Sequence, residues 1–342
     1  MNSSHVEAET EKLCYENVNG SCTKVSRVFF EQIFLYIAFT FGIVVCVSGN
    51  LLVIISVFYF KQLHSPTHFL VMSLALVDFL LGFVVIPFSA VRFIESCWYF
   101  SDYFCILYTC IDSICSLASI FHLCFISIDR YIAVSDPLIY PVKFSVPAAG
   151  FLIFLSWVLA ITPTLVIVYP STNNNGREEF VADLPCKGSC QITIKRPLVI
   201  LNLIMFGVPL IVMLVMYSHI FLIVKKQARM IENTAGKGER VETYYNRVAK
   251  REKKAAKTLG VAVGAFTTCW LPFCIGTVTD VIFNVSTPLT AYQFFYWLAY
   301  FNSALNPLIY AFFYPWFRET ANLILTCKIF IADYTDTNLF KE

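Results

Sequence analysis

The sequence predicts an all-α fold, a bundle of seven membrane-spanning helices followed by a short amphipathic helix. Three observations point there. Seven apolar stretches are each long enough to cross a bilayer, Lys and Arg crowd onto the connections of one side, and an even set of cysteines falls on the other.

Of the 342 residues, 58% are hydrophobic and 14% charged, against an apolar share of about 45–50% in soluble domains. So little charge cannot cover a water-exposed globule of this size. The net charge of +2 gives no reason to expect nucleic acid as a partner. The first thirty residues are polar and lack a basic-then-apolar signal peptide, so the first span is expected to direct insertion itself.

A hydrocarbon core of about 30 Å needs roughly 20 apolar residues in helical form. The spans are read at 33–58, 68–92, 102–134, 147–170, 197–224, 256–282 and 290–313. Hydropathy does not separate the ends of the third and sixth from helix that continues into water. The connection between the fifth and sixth carries eleven basic residues from Lys225 to Lys257, which makes that side cytoplasmic. Residues 1–32 are then extracellular, and 314–342 hold the eighth helix and a cytoplasmic tail. Cys14, Cys22, Cys97, Cys105, Cys186 and Cys190 fall on the oxidising side, where disulfides persist. The sequons at Asn2 and Asn19 lie there too, with a less accessible one at Asn284 close to the membrane.

An ionisable residue at mid-membrane costs about 2.5–3.5 kcal/mol on insertion scales and marks a functional position by default. Asp78, Asp112, His122, Asp129 and Arg130 are such residues, joined by the amides Asn50, Asn302 and Asn306. On the third span Cys105, Asp112, Ser116 and Ser119 share one helical face by their spacing. At 1.5 Å per residue Asp112 lies roughly 10 Å below Cys105, and Arg130 about 27 Å deeper. One helix therefore carries an outer tether, a mid-depth acid and an inner charged pair. Asp112 has no Lys or Arg close by in sequence, so its charge calls for a cation from elsewhere. A protonated amine supplies one through a charge-assisted hydrogen bond, and Trp270, Phe273, Tyr300 and Phe206, at matching depth, can enclose it by cation–π contact. The competing reading is an internal ion pair or a protonated, neutral acid. His122 has no second ligand candidate beside it and is read as a hydrogen-bonded structural residue rather than a metal ligand.

Taken in order, these residues resemble the rhodopsin-like G protein-coupled receptors. The matching motifs are Asn50 in Gly-Asn-Leu-Leu-Val, Asp78 closing Leu-Ala-Leu-Val-Asp, Asp129-Arg130-Tyr131, Trp157, Pro209 with Tyr217, Cys269-Trp270-Leu271-Pro272-Phe273, and Asn306-Pro307-Leu308-Ile309-Tyr310. The stretch from Asn302 to Phe317 is similar, without a gap, to the seventh-span fingerprint of the trace amine-associated receptors. Segments 95–100, 119–130 and 251–260 resemble the same family, most closely its members in olfactory neurons.

The resemblance implies the following roles. Asp112 is the counter-ion of a ligand amine, with Tyr300 as its hydrogen-bond neighbour; Ser113, Ser116, Thr277 and Asn202 complete the candidate ligand set with Trp270, Phe273 and Phe206. Asp78, Ser119, Asn302, Asn306 and Asn50 form a buried pocket for water and an allosteric sodium ion, and no other cofactor is expected. Ile120, Pro209 and Phe266 form a packing switch, together with Tyr217 and Tyr310. Arg130 pairs with Asp129 and Glu252 at rest, and on activation meets a stimulatory or olfactory G protein, with Tyr131, Pro137 and Leu138 beside it. Cyclic AMP then rises.

Cys105 is implied to pair with Cys190, and Cys22 with Cys186, the rival being Cys14–Cys186 with Cys22–Cys97. Phe317 to Leu325 reads as the amphipathic helix, followed by a palmitoylation candidate at Cys327. Some relatives carry a second acid in the outer half of the fifth span, suited to diamines. Here Leu201-Asn202 stands there, so one amine head is expected, and Lys195 and Arg196 at the mouth are read as snorkelling to the interface.

Other classes fit less well. No internal symmetry of a transporter is visible, Tyr300 stands where an opsin needs a retinal-bearing Lys, and no nucleophile–base pair or metal cluster suggests an enzyme. The alternatives kept are a serotonin-like neurotransmitter receptor and a receptor for a non-amine ligand. The fifth span offers only Asn202 to ring hydroxyls, which disfavours phenolic ligands and leaves aliphatic or tertiary amines.

Overall fold

The structure, a computed structural model, describes residues 12–136, 139–172, 186–190, 196–234, 239–285, 287–331, 334–337 and 339, without side chains 141, 169–172, 227–228, 230–234, 239–259 and 289. Pro137, Leu138, Asn2, Lys195 and the Glu252 side chain lie outside that description.

Seven long helices are present: α1 Phe29–Tyr59, α2 Pro66–Glu95, α3 Asp102–Ser135, α4 Val146–Thr172, α5 Arg196–Thr234, α6 Glu239–Phe283 and α7 Leu289–Phe313. A shorter α8, Pro315–Leu325, follows. The first six contain stretches apolar enough to cross a membrane. α7 is long enough as well and uncharged, but Gln293, Asn302, Asn306 and four tyrosines make it less apolar. Several helices outrun the predicted spans, α6 by more than fifteen residues at its start, because hydropathy detects only lipid-embedded length while the backbone hydrogen bonds continue into water.

Local chemistry sets the boundaries. Ser65 and Ser101 cap α2 and α3, each accepting from the backbone N–H of the third helical residue, His68 and Phe104. Pro315 occupies the first position of α8, where a missing N–H costs nothing. Arg318 then donates to the Ala311 and Phe312 carbonyls at 3.1 and 3.0 Å, satisfying the open end of α7. α2 contains a π turn at Leu81–Val85, just before Pro87, so its outer half departs from the course of its inner half.

α3 is the central element, packing against α2, α4 and α5 and touching α6. α1 closes the ring against α2 and α7. Gly49 permits that closure, because a Cβ there would sit 2.6 Å from the Pro307 side chain. Buried residues from α1 to α7 form one main core, with Phe266, Ile120, Leu117 and Met213 fully enclosed. A second cluster joins α1, α8 and Leu339 of the C-terminal segment.

On the face that carries the N-terminus, three disulfides form a cap: Cys14–Cys97, Cys22–Cys186 and Cys105–Cys190. Cys14–Cys97 was not among the pairings read from sequence, and the rival arrangement is not the one formed. The reason is visible in the backbone. Cys22 N–H donates to the Lys187 carbonyl at 2.9 Å and Trp98 N–H to the Gly188 carbonyl at 2.8 Å, which sets Cys22 beside Cys186 and Cys97 beside Cys14. Gly188 has φ +93°, and a Cβ there would meet Cys14 at 2.9 Å, so both conformation and space require glycine. Lys24 adds an ion pair with Glu95 at 2.5 Å, which holds its ammonium above the usual lysine range.

Seven cysteines remain free. The denatured, unreduced chain should therefore titrate seven thiols, and the double variant Cys14→Ser, Cys97→Ser should also titrate seven; a wild-type value two higher would contradict the bridge. The same variant should lose about 2–4 kcal/mol of stability, read as a lower thermal midpoint.

Candidate functional site

A cavity of about 490 Å³ opens between the outer halves of α2, α3, α5, α6 and α7. Asp112 on α3, Asn202 on α5, Phe273 and Thr277 on α6 and Tyr300 on α7 line it, as does Cys190, which the disulfide to Cys105 ties to the mouth. Tyr300 Oη donates to Asp112 Oδ2 at 3.0 Å. Asp112 Oδ1 is buried and has no hydrogen-bond partner. Ser116, one turn deeper, is near the carboxylate without reaching bonding geometry. A carboxylate with one bonded and one bare oxygen, on a residue that lines a cavity, is an acceptor for a cationic donor.

The remaining sequence candidates sit elsewhere. Ser113 follows Asp112 by one residue, about 100° round the helix, and does not line the cavity. Trp270 and Phe206 lie in the buried core, their rings 4.9 Å apart, with Trp270 next to Phe273 at 6.0 Å. The aromatic wall is supplied instead by Tyr108, Tyr292, Tyr296, Phe93 and Trp297. Tyr292, Tyr296 and Tyr300 recur every four residues, a one-face pattern that the sequence displays. Arg92, twenty residues before Asp112 in the chain, also lines the cavity and brings a base to the same space that sequence neighbours of Asp112 do not supply. Arg196 donates to the Val281 carbonyl, so it joins α5 to the end of α6 rather than simply snorkelling.

Below Trp270 the Asp78 carboxylate is fully buried, accepting from Ser303 Oγ and Asn306 Nδ2, both at 2.7 Å. Asn50 Nδ2 donates to the Cys46 and Ser303 carbonyls. Ser119 Oγ and Asn50 Oδ1 are buried without partners. Asn302 is buried, but its neighbour Ser303, not singled out beforehand, makes the bond to Asp78. Its spacing of three residues from Asn306 was the available signal.

At the opposite face Arg130 Nη2 and Nε donate to Asp129 Oδ2 at 2.7 and 2.9 Å. Thr67 and Tyr140 complete the cluster: both hydroxyls donate to Asp129, at 2.8 Å each, and accept from Arg130. Neither was read from the sequence, since both lie on other elements. Tyr131 stacks edge-on with His219, and Tyr217 fills the space beside Gly260 where a side chain would collide. Tyr310, Ile120, Phe266 and Pro209 are buried. His122 Nδ1 donates to the Ala118 carbonyl at 2.7 Å. Its Nε2 then accepts from Ser73 Oγ at 2.7 Å, while Trp157 donates to the same oxygen. This is a structural histidine, bonded at both nitrogens.

The helical order and the cavity among the outer halves of the helices fit a seven-helix membrane receptor, and sequence comparison gives its family. The family 7 transmembrane receptor (rhodopsin family) matches residues 49–310. The chain is 52% identical over 332 residues to trace amine-associated receptor 9 of Mus musculus, covering 97% of this chain and 95% of that one. It is 49% identical over 343 residues to trace amine-associated receptor 7a of Rattus norvegicus, covering 100% and 96%. The chain belongs to the trace amine-associated receptors, a group of multi-pass membrane receptors and not enzymes.

Ser303→Ala would remove a hydrogen bond to a buried carboxylate. The expected loss is about 1.5–3 kcal/mol, seen as a lower melting midpoint of the solubilised receptor; an unchanged midpoint would contradict the role given to this bond.

Proposed function

We propose that the chain is a plasma-membrane receptor, its N-terminus outside, that binds a small amine with one cationic head. The observation that carries this reading is the bare, buried Oδ1 of Asp112 opposite the Tyr300-bonded Oδ2. An ammonium placed there gains a charge-assisted bond, and the tyrosine faces around it favour a cation. The disulfide cap and exposed sequon Asn19 support the outward N-terminus, and Asn2 is a second proposed glycosylation position.

Binding shifts a population rather than forcing a movement, so the amine must prefer the active state. The Asp129–Arg130–Thr67–Tyr140 cluster holds Arg130 to Asp129 of its own helix, to α2 and to the segment after α3, which suits a resting state. Release of Arg130 as α6 moves outward would open a groove for a G protein. The proposed coupling is to a stimulatory or olfactory G protein, with cyclic AMP as output and detection of volatile amines as the setting. Cys327, exposed directly after α8, is the proposed lipid anchor.

Asp78, Ser119 and Asn50 fit a sodium ion, because Ser119 Oγ and Asn50 Oδ1 are buried without partners and an all-oxygen set suits a hard cation. When bound, the ion would supply positive charge against Asp78.

Asp112→Ala is expected to abolish the cyclic AMP response to a panel of volatile and biogenic amines while leaving surface expression intact; a full response in the variant would overturn the site. Monoamines should be preferred over diamines, because Arg92 faces the cavity and Leu201-Asn202 provides no second acid. A stronger response to cadaverine or spermine than to any monoamine would contradict the single-head assignment.

A further inference from the structure

The amine reading leaves one charged group in the same cavity unused. Arg92 is half-buried on the outer half of α2 and lines the cavity with Asp112. A guanidinium does not lose its charge in a protein, and inside a narrow cavity it cannot keep a full water shell. Its neighbouring acid is already committed: Glu95, three residues on, is held by Lys24 at 2.5 Å and by the Tyr36 hydroxyl at 2.9 Å. Among the described residues no carboxylate lies within ion-pair distance of Arg92. Arg92 and Asp112 line the same cavity, yet acid and base do not close into a salt bridge.

The cavity is thus bipolar, with an unpaired acceptor on α3 and an unpaired planar donor on α2. We infer that Arg92 is a second recognition pole, and that the preferred ligand is an amine whose far end carries an anionic group, a carboxylate above all. The ammonium sits on Asp112 Oδ1 and the carboxylate meets the guanidinium fork, which matches carboxylate geometry. A net-neutral, two-ended ligand satisfies both poles. A diamine places its second cation against Arg92, and a plain alkylamine leaves the guanidinium without an anion. This inference rests on the amine site at Asp112, adds the chemistry of the ligand's other end and, because a zwitterion is not volatile, replaces volatile amines with dissolved ones as the preferred class.

The test uses three ligands with a five-carbon chain: pentylamine, 5-aminopentanoate and cadaverine. Their affinities are read from the ligand-dependent melting of the solubilised full-length receptor, which needs no assumption about the G protein. In the wild type 5-aminopentanoate should bind tightest and cadaverine weakest. Arg92→Gln should weaken 5-aminopentanoate about tenfold to a hundredfold while pentylamine, which also reports that the variant is folded, stays within about twofold. Arg92→Glu should invert the order in favour of cadaverine, and Arg92→Lys should preserve it. Equal losses for pentylamine and 5-aminopentanoate in Arg92→Gln, or a wild type that prefers cadaverine, would overturn the second pole. Asp112→Asn separates the two readings. If it abolishes pentylamine binding while the Arg92 variants leave the order unchanged, the amine site stands and the second pole falls; if pentylamine is indifferent to it, both fall.

Discussion

The rest of the molecule turns on a carboxylate that is half satisfied. Asp112 accepts from Tyr300 on one oxygen and from nothing on the other. Leaving a buried acceptor bare costs about 1–3 kcal/mol, more where the group is charged. A fold keeps such a group only when the surroundings hold it in place and something else completes it. The surroundings here are α3, gripped by three neighbouring helices, and α7, whose tyrosines stand in a column along the cavity wall.

The same helix carries the consequence inward. Cys105 fixes the outer end of α3 to the loop before α5, and Cys190 reaches the cavity as a result. In mid-membrane, His122 ties α3 to α2 through Ser73, with Trp157 of α4 bonded to the same hydroxyl. At the inner end Arg130 is held by Asp129, Thr67 and Tyr140. α3 is therefore rigidly seated on the α2 and α4 side, while its contacts with α6 are few.

How much of this was legible depended on distance along the chain. The seven spans, the central acid, its Tyr300 partner and the structural nature of His122 followed from hydropathy, helical spacing and family motifs. Ser303, Thr67 and Tyr140 did not, because a hydrogen-bonding side chain of ordinary type announces nothing until the fold sets it beside a charge. Arg92 was hidden differently. It closes the second span by hydropathy, where an arginine passes for an interfacial anchor, whereas the structure sets it on the wall of a cavity that Asp112, twenty residues further along, also lines. The third disulfide was equally out of reach, since Cys14 and Cys97 meet only after backbone bonds have set the N-terminal segment against Lys187 and Gly188.

The most direct measurement is a structure of the full-length receptor with pentylamine bound. The account predicts the ligand nitrogen within about 2.7–2.9 Å of Asp112 Oδ1, with Tyr300 still donating to Oδ2 and the alkyl chain against Phe273 and Tyr296. A ligand nitrogen seated elsewhere, with Oδ1 still unpartnered, would contradict it.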